Sequence, residues 1–125
     1  MFVKNRDQVP AVDWGNGTSF RLVNKDENLG FGVAHTVVRA GTASKLRYDS
    51  HLEACYCISG KGRVLSADGS TELIITPGVL YGLDNNDAHT LCADEDSDMH
   101  LISVFSPALE GHERHELSDD EYSSY

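Results

Sequence analysis

Short runs of apolar and β-branched residues alternate with turn-forming clusters along most of the chain. Asn, Asp, Ser and Gly separate the runs, for example at residues 24–30 and 59–62. No segment repeats its apolar residues every 3.6 positions over about a dozen residues, so we expect few and short helices. The runs predict strands at residues 19–23, 32–39, 53–58, 62–66, 72–75 and 100–105.

Many short strands with regular turn signals are typical of an antiparallel β-sandwich or barrel. Asp68 and Gly69 stand between two predicted strands, where we expect the tip of a hairpin. The sequence therefore predicts an all-β protein with a single domain over residues 1–116. Residues 117–125 are acidic, polar and poor in aliphatic side chains, which favours a mobile C-terminal tail.

Composition narrows the function classes. The chain has 125 residues and a hydrophobic content of 40%, enough for one core. Twenty acidic and ten basic residues give a formal charge of −10, which disfavours binding to nucleic acid or to anionic membranes. No apolar run approaches the length needed to cross a bilayer, and the N-terminus lacks an apolar signal-peptide core. We expect a soluble, cytoplasmic protein.

The chain contains three cysteines, Cys55, Cys57 and Cys92. Their odd number argues against a disulfide framework, and we expect Cys55 and Cys57 to face opposite sides of their strand. Packing as small buried residues is favoured over a Cys-x-Cys zinc site, because the chain offers no second thiol pair to complete such a site.

Residues 41–60 contain a motif with most of its usual histidines missing. Gly41, Arg47, Asp49, Glu53 and Gly60 stand at the spacings of the first cupin motif, in which the positions of Arg47 and Asp49 are normally both His. The second motif resembles the run Pro-Gly-Val-Leu-Tyr at 77–81, with a tyrosine in the histidine position, and a histidine follows at 89. This resemblance implies a cupin double-stranded β-helix, or jelly-roll barrel, with few short helices.

Three ordered blocks, at residues 51–62, 77–84 and 104–111, resemble the ectoine synthase family. The resemblance extends from Phe2 to about His115, nearly the whole chain. It implies an iron site, with Fe²⁺ held by Glu53, Tyr81 and His89.

Taken singly, these three residues have plainer interpretations. Glu53 lies in an apolar run, where a carboxylate is costly unless it is paired or bound to metal, but it could also face outward at the start of its strand. Tyr81 could be an ordinary half-buried aromatic residue, and His89 a solvated loop histidine. A carboxylate, a phenol and an imidazole together form a hard ligand set that suits Fe²⁺ better than copper or structural zinc.

The reaction implied by the resemblance is closure of N-γ-acetyl-L-2,4-diaminobutyrate to the cyclic amidine ectoine with loss of water, with a metal as Lewis acid. The resemblance also implies substrate-binding and catalytic positions. The substrate-binding positions are Arg21, Thr36, Ser103 and Phe105, and the catalytic positions are Tyr48, Glu113 and His115. Without the resemblance, Arg21 would be a strand-surface charge, and Glu113 and His115 part of a solvated tail. With it, the last two belong to a mobile segment that closes over the substrate.

Two positions depart from the family pattern. Gly17 stands where the family usually has Trp, although Trp14 lies three residues earlier, and Ser103 replaces a family Cys. These changes favour, as an alternative, a cupin enzyme acting on another small polar metabolite. A non-catalytic cupin that binds a small ligand is a further alternative. We expect a homodimer in which an N-terminal strand packs against the partner's sheet.

Overall fold

The computed structural model describes residues 1–125, which form eleven β-strands and two 3₁₀ helices of three residues each, at Arg6–Gln8 and Lys25–Glu27. The strands are β1 (Ala11–Asp13), β2 (Gly17–Val23), β3 (Gly32–Val38), β4 (Ala43–Arg47), β5 (Leu52–Ser59), β6 (Gly62–Ser66), β7 (Glu72–Ile75), β8 (Leu80–Leu83), β9 (His89–Ala93), β10 (Met99–Ser106) and β11 (Ser123–Ser124).

The strands form two sheets around one hydrophobic core. The larger sheet has six strands in the order β1-β2-β3-β10-β5-β8, and the smaller has five in the order β11-β4-β9-β6-β7. All neighbouring strands pair antiparallel except β11, which runs parallel to β4. Core residues come from both sheets, so each sheet turns one face inward. Alternation of buried and exposed side chains along β5 and β10 follows the period of two of a pleated strand.

The structure confirms the prediction of an all-β protein with few helical residues. Each of the six predicted strands is present, with ends shifted by at most two residues, and β6 and β7 form the hairpin expected around Gly69. The additional strands are β1, β4, β8, β9 and β11. No helix in the structure is long and apolar enough to span a membrane.

Two sequence-based expectations need correction. Cys55 and Cys57 do not face opposite sides of β5: both are buried, because residues two apart on a strand share a face. The tail is also not unpacked throughout. Ser123 and Ser124 pair with β4, and Tyr125 packs against the core, because its ring supplies apolar surface that the acidic composition of the tail concealed. The mobility of residues 117–125 stays a prediction.

Candidate active site

A row of side chains across five strands forms one wall of an internal cavity. The register aligns Arg21 of β2 with Ala34 of β3, then Ser103 of β10, Cys55 of β5 and Tyr81 of β8. All five residues are buried, so the row faces the interior. Its charged and phenolic ends are separated by small side chains, which leave open space between them.

The empty space between these side chains is about 420 Å³ when the solvent at its open mouth is included. Eight of the ten predicted site residues line it: Arg21, Thr36, Tyr48, Glu53, Tyr81, His89, Ser103 and His115. Phe105 is buried on the same inward face of β10 as Ser103 but does not line the cavity, and its ring centroid lies 5.4 Å from that of Tyr48. Glu113 lies beside the cavity, with a carboxylate oxygen 3.8 Å from Nη1 of Arg21.

The three predicted metal ligands come from both sheets. Glu53 lies on β5, one inward position before Cys55, Tyr81 lies on β8, and His89 begins β9 of the opposite sheet. Each is at most 7% exposed, so the interpretations of Glu53 as outward-facing and His89 as solvated are excluded. The sandwich therefore brings a carboxyl, a phenol and an imidazole to one cavity.

Burial shifts the ionisation of all three groups. Desolvation raises the pKa of Glu53 to about 7, against hydrogen bonds from Cys55, Tyr48 and Ser103 that lower it. Desolvation also raises the pKa of Tyr81 well above its usual value and lowers that of His89. Without a bound cation, each group is therefore driven toward its neutral form.

Two of these side chains have features of metal ligands. The hydroxyl of Tyr81 is buried and makes no hydrogen bond of normal geometry, and the weakly polar thiol of Cys55 is its nearby neighbour. Nδ1–H of His89 donates to the carbonyl oxygen of Asp87 at 2.9 Å, which leaves the lone pair on Nε2. Metal-binding histidines commonly donate their second ring N–H in this way. No group of three His, Cys, Asp or Glu side chains is placed to hold a metal, so a three-residue protein site here needs the phenol.

At the other end of the row, Arg21 is a buried cation with spare donors. Its Nε donates to the hydroxyl of Ser19 at 2.8 Å and its Nη2 donates to the backbone carbonyl of Glu113, whereas Nη1 has no hydrogen-bond partner. The Glu113 carboxylate accepts backbone N–H bonds from Glu110 and Gly111. Burial acts to raise the pKa of Glu113, but together these hydrogen bonds have the larger effect. The pKa therefore lies below its usual value, and the carboxylate stays ionised.

His115 and Tyr48 form the side of the cavity near the C-terminal segment. Their ring centroids lie 5.1 Å apart, and Nε2 of His115 is buried without a partner. Desolvation, with His89 and Arg21 as further causes, lowers the pKa of His115 to about 4. Desolvation and the nearby Glu53 raise the pKa of Tyr48 well above its usual value. At neutral pH the site therefore offers a neutral imidazole and a protonated phenol.

Seven cavity residues were not among the predicted site residues: Trp14, Ser19, Leu46, Cys55, Leu91, Leu101 and Tyr125. Trp14 is 4% exposed, and its Nε1 donates to the carbonyl of Val37 at 3.2 Å. An ideal Cβ on Gly17 would lie 3.1 Å from that Nε1 and 1.8 Å from the Val37 carbonyl oxygen. The indole therefore lies in the cavity wall because residue 17 has no side chain. Trp14 could have been predicted from the sequence, because the family usually has a Trp near this position. Nothing in the short sequence of β11 predicted that Tyr125 would line the cavity.

The eleven-stranded, two-sheet sandwich with a polar cavity between the sheets has the cupin fold. The solved structure of a Cupin 2 conserved barrel domain protein from Salinispora arenicola CNS-205 has a TM-score of 0.67, with 17% identity and coverage of 85% of this chain and 88% of that one. At this identity the likeness shows the fold alone.

The sequence profile of the family described as ectoine synthase matches residues 2–124. The L-ectoine synthase of Marinomonas sp. (strain MWYL1) is 43% identical over 112 residues, covering 90% of this chain and 84% of the relative. The crystal structure of ectoine synthase from P. lautus has a TM-score of 0.82 and 35% identity, with coverage of 89% of this chain and 81% of that chain. The chain belongs to the ectoine synthase family.

Proposed function

We propose that this protein is an L-ectoine synthase, a hydro-lyase that closes N-γ-acetyl-L-2,4-diaminobutyrate to ectoine with loss of water. Family membership supports the activity, because its curated relatives bear that name. The observation that carries the proposal is the cavity, in which a buried cation with an unpaired donor and a carboxyl–phenol–imidazole set line the same space. The substrate has matching groups: a carboxylate, an amine and an acetamide.

Glu53, Tyr81 and His89 fit a hard divalent cation, and Fe²⁺ is the proposed ion. The orphaned phenol supports this proposal, since a buried hydroxyl without a partner is destabilising and a cation would satisfy it. A cation would also favour the ionised form of Glu53, which burial alone disfavours. When bound, the ion would supply Lewis acidity toward the acetamide oxygen and so activate a poor electrophile.

Arg21 is the proposed anchor of the substrate carboxylate. Its Nη1 is a buried donor without an acceptor, and a guanidinium binds a carboxylate with directed, charge-assisted hydrogen bonds. Thr36 and Ser103 lie between this end of the cavity and the proposed metal site, with their hydroxyl oxygens 2.9 Å apart. Phe105 packs against the ring of Tyr48 and would hold that ring in place. Its contact with the substrate stays a prediction.

Ring closure requires the α-ammonium to lose a proton before nitrogen attacks the acetamide carbon, and the carbonyl oxygen to gain protons before it leaves as water. His115 is neutral at neutral pH, and its Nε2 faces the cavity without a partner, so it can exchange a proton there. Tyr48 keeps its proton and can donate a hydrogen bond to the departing oxygen. Glu113 holds charge beside Arg21 and orients the guanidinium.

A cupin enzyme with a different small polar substrate is the second candidate, favoured by Trp14 beside Gly17 and by Ser103. Complementation separates the two candidates. We expect the gene to restore ectoine accumulation, measured by NMR of cell extracts, in a bacterium whose own ectoine synthase gene has been deleted. A Tyr81→Phe gene expressed to the same level is the control. Normal expression without ectoine would favour the second candidate.

The proposed assembly is a homodimer, and the proposed location is the cytoplasm. Support for the dimer comes from exposed apolar residues on the outer face of the larger sheet and from residues 1–3, which are exposed in the single chain: Met1, Phe2, Val3, Tyr56, Ile58, Leu80 and Val104. A second copy is the partner that could cover them. Fractionation of cells expressing the protein tests the location.

A further inference from the structure

Strand β11 carries one side chain toward His115 and one toward solvent. Ser123 is 9% exposed, whereas its neighbour Ser124 is exposed, as alternation along a strand requires. The strand is held on the barrel by pairing with Leu46 and Arg47 of β4. The backbone carbonyl of Tyr125 extends this attachment by accepting N–H of Asp49 at 2.9 Å.

The hydroxyl of Ser123 contacts both the side chain and the backbone near His115. Oγ lies 2.9 Å from Nδ1 of His115 and accepts the backbone N–H of Glu116 at 2.8 Å. Nδ1 is therefore engaged by the protein, while Nε2 is left toward the cavity. Oγ already accepts the Glu116 N–H, and its own O–H has no other acceptor in the protein, so the O–H is free to donate to Nδ1. Donation to Nδ1 leaves the ring proton on Nε2, because a neutral imidazole carries only one.

The ring of Tyr125 fixes the same imidazole from another side. Its centroid lies 4.6 Å from that of His115, with an interplanar angle of 31°, and 5.1 Å from that of Tyr48, with an angle of 72°. Tyr125 also lines the cavity. The imidazole of His115 is thus held by a hydrogen bond at Nδ1 and by aromatic contacts with two tyrosines.

We propose that Ser123 and Tyr125 are positioning residues of the active site: Ser123 selects the tautomer of His115, and Tyr125 holds the plane of its ring against the cavity. The effect on catalysis rests on the proposed function, whereas the effect on the imidazole does not. The active site therefore includes residues in and next to β11, an edge strand of the smaller sheet.

The first test compares two serines on the same strand. We expect Ser123→Ala to lower kcat by about tenfold or more with KM changed by less than about twofold, because a misoriented acid–base group impairs chemistry more than binding. Ser123→Thr keeps a hydroxyl and should restore most of the lost kcat. Ser124→Ala is the matched control and should behave as wild type. A Ser123→Ala enzyme with wild-type kcat would overturn the role of Ser123.

The second test concerns the ring of Tyr125. Tyr125→Ala should lower kcat by a similar factor, and Tyr125→Phe should recover most of it, because the ring makes the contact with His115. Tyr122, whose ring lies outside beside Lys45, provides the control in Tyr122→Ala. Equal kcat for Tyr125→Ala and wild type would remove Tyr125 from the proposal.

The third test needs no turnover. Long-range ¹H–¹⁵N NMR of the diamagnetic Zn²⁺-loaded protein reports which ring nitrogen of His115 carries the proton. We expect one tautomer in wild type and in Ser124→Ala, and a mixture or the opposite tautomer in Ser123→Ala. An unchanged tautomer in Ser123→Ala would overturn the proposal even in an active enzyme. The expected NMR change in a protein that makes no ectoine would instead overturn the proposed function and retain the positioning role.

Discussion

At the scale of single residues, the cavity contains buried polar groups that the protein leaves unsatisfied. The Tyr81 hydroxyl, Nη1 of Arg21 and Nε2 of His115 have no hydrogen-bond partner. Buried polar atoms of this kind are destabilising unless a ligand satisfies them, and here all three residues line one cavity. A cation would satisfy the Tyr81 hydroxyl, a carboxylate would satisfy Nη1 of Arg21, and a group that exchanges protons would satisfy Nε2 of His115.

The predicted metal site could be read from the sequence only by considering its three residues together. Motif spacing and the family resemblance predicted Glu53, Tyr81 and His89 as ligands, and the structure places all three at one cavity, although each side chain alone has a commoner structural role. Spacing could not identify Cys55 or Tyr125, because their contact with the cavity depends on strand register and on the path of the chain after residue 115. Trp14 was predictable as a replacement for the family's Trp, but its orientation depends on the bare backbone at Gly17.

Loss of the Tyr81 hydroxyl should remove the metal without unfolding the protein. We expect Tyr81→Phe to bind less than about a tenth of the iron bound by wild type, measured by elemental analysis after gel filtration, because two remaining ligands hold a divalent cation weakly. Its thermal midpoint without metal should equal or exceed that of wild type, since the substitution deletes an unsatisfied buried hydroxyl. Tyr56→Phe, on the outer face of the same sheet, is the control. Full iron occupancy in Tyr81→Phe would exclude the phenol as a ligand.

His115 should make the protein less stable in acid. Its pKa is about 4 when folded and 6.5 for the unperturbed group, so the unfolded chain binds the proton first and stability is lost as pH falls through this window. The loss attributable to His115 is at most about 3 kcal/mol. In urea unfolding between these pH values, His115→Gln should show a weaker decline than wild type. Glu53, with its raised pKa, acts in the opposite direction in both proteins. Identical pH dependence of the two proteins would contradict the buried, neutral imidazole.

At the scale of elements, strand length and pattern explain which strands the sequence revealed. β3, β5 and β10 have seven or eight residues with apolar and β-branched side chains, so their pattern was clear. β4 and β9 mix Ser, Lys, His and Thr with few apolar residues, and β11 has two residues. Their strand character comes from pairing with neighbours rather than from local propensity, which sequence patterns do not report.

Two glycines in turns provide a matched test of the sandwich. Gly60 and Gly69 both have positive φ, of 78° and 74°. A Cβ on Gly60 would lie 2.2 Å from the carbonyl oxygen of Asp98, whereas one on Gly69 meets nothing within 4 Å. We expect Gly69→Ala to lower the free energy of unfolding by about 1 kcal/mol and Gly60→Ala by at least about 2 kcal/mol more. Equal losses in chemical unfolding would show that the close approach of the 94–98 loop is absent.

The segment after β10 should be required for chemistry rather than for folding. It contributes Glu113, His115 and Tyr125 beside or within the cavity, while the three proposed metal ligands lie on β5, β8 and β9. We expect a protein ending at Leu109 to fold and retain iron but to lose at least about a hundredfold in kcat, because the cavity loses a wall and its acid–base groups. Near-normal turnover by this truncated protein would remove the segment from the active site.

At the scale of the whole molecule, surface composition favours self-association over binding to polyanions. The net charge of −10 repels nucleic acid, while the larger sheet exposes apolar side chains outward. Leu80 is 61% exposed on β8, an edge strand of that sheet. Edge strands of this kind are commonly covered by a partner.

Light scattering should therefore find a dimer at micromolar concentration. Leu80→Lys places a charge on the apolar face and should shift the protein toward monomer, because an unpaired buried charge disfavours the interface. Leu29→Lys, at an exposed leucine in the loop between β2 and β3, is the control. A wild-type monomer at this concentration would contradict the proposed homodimer.

The most direct test of the account is product formation by the purified protein. Iron-loaded enzyme supplied with N-γ-acetyl-L-2,4-diaminobutyrate under anaerobic conditions should accumulate ectoine, followed by ¹H NMR, at a rate that scales with iron occupancy. The Tyr81→Phe and Arg21→Met proteins should be inactive or severely impaired while remaining folded. A folded, iron-loaded wild-type protein that leaves this substrate unchanged would contradict the assignment as an ectoine synthase.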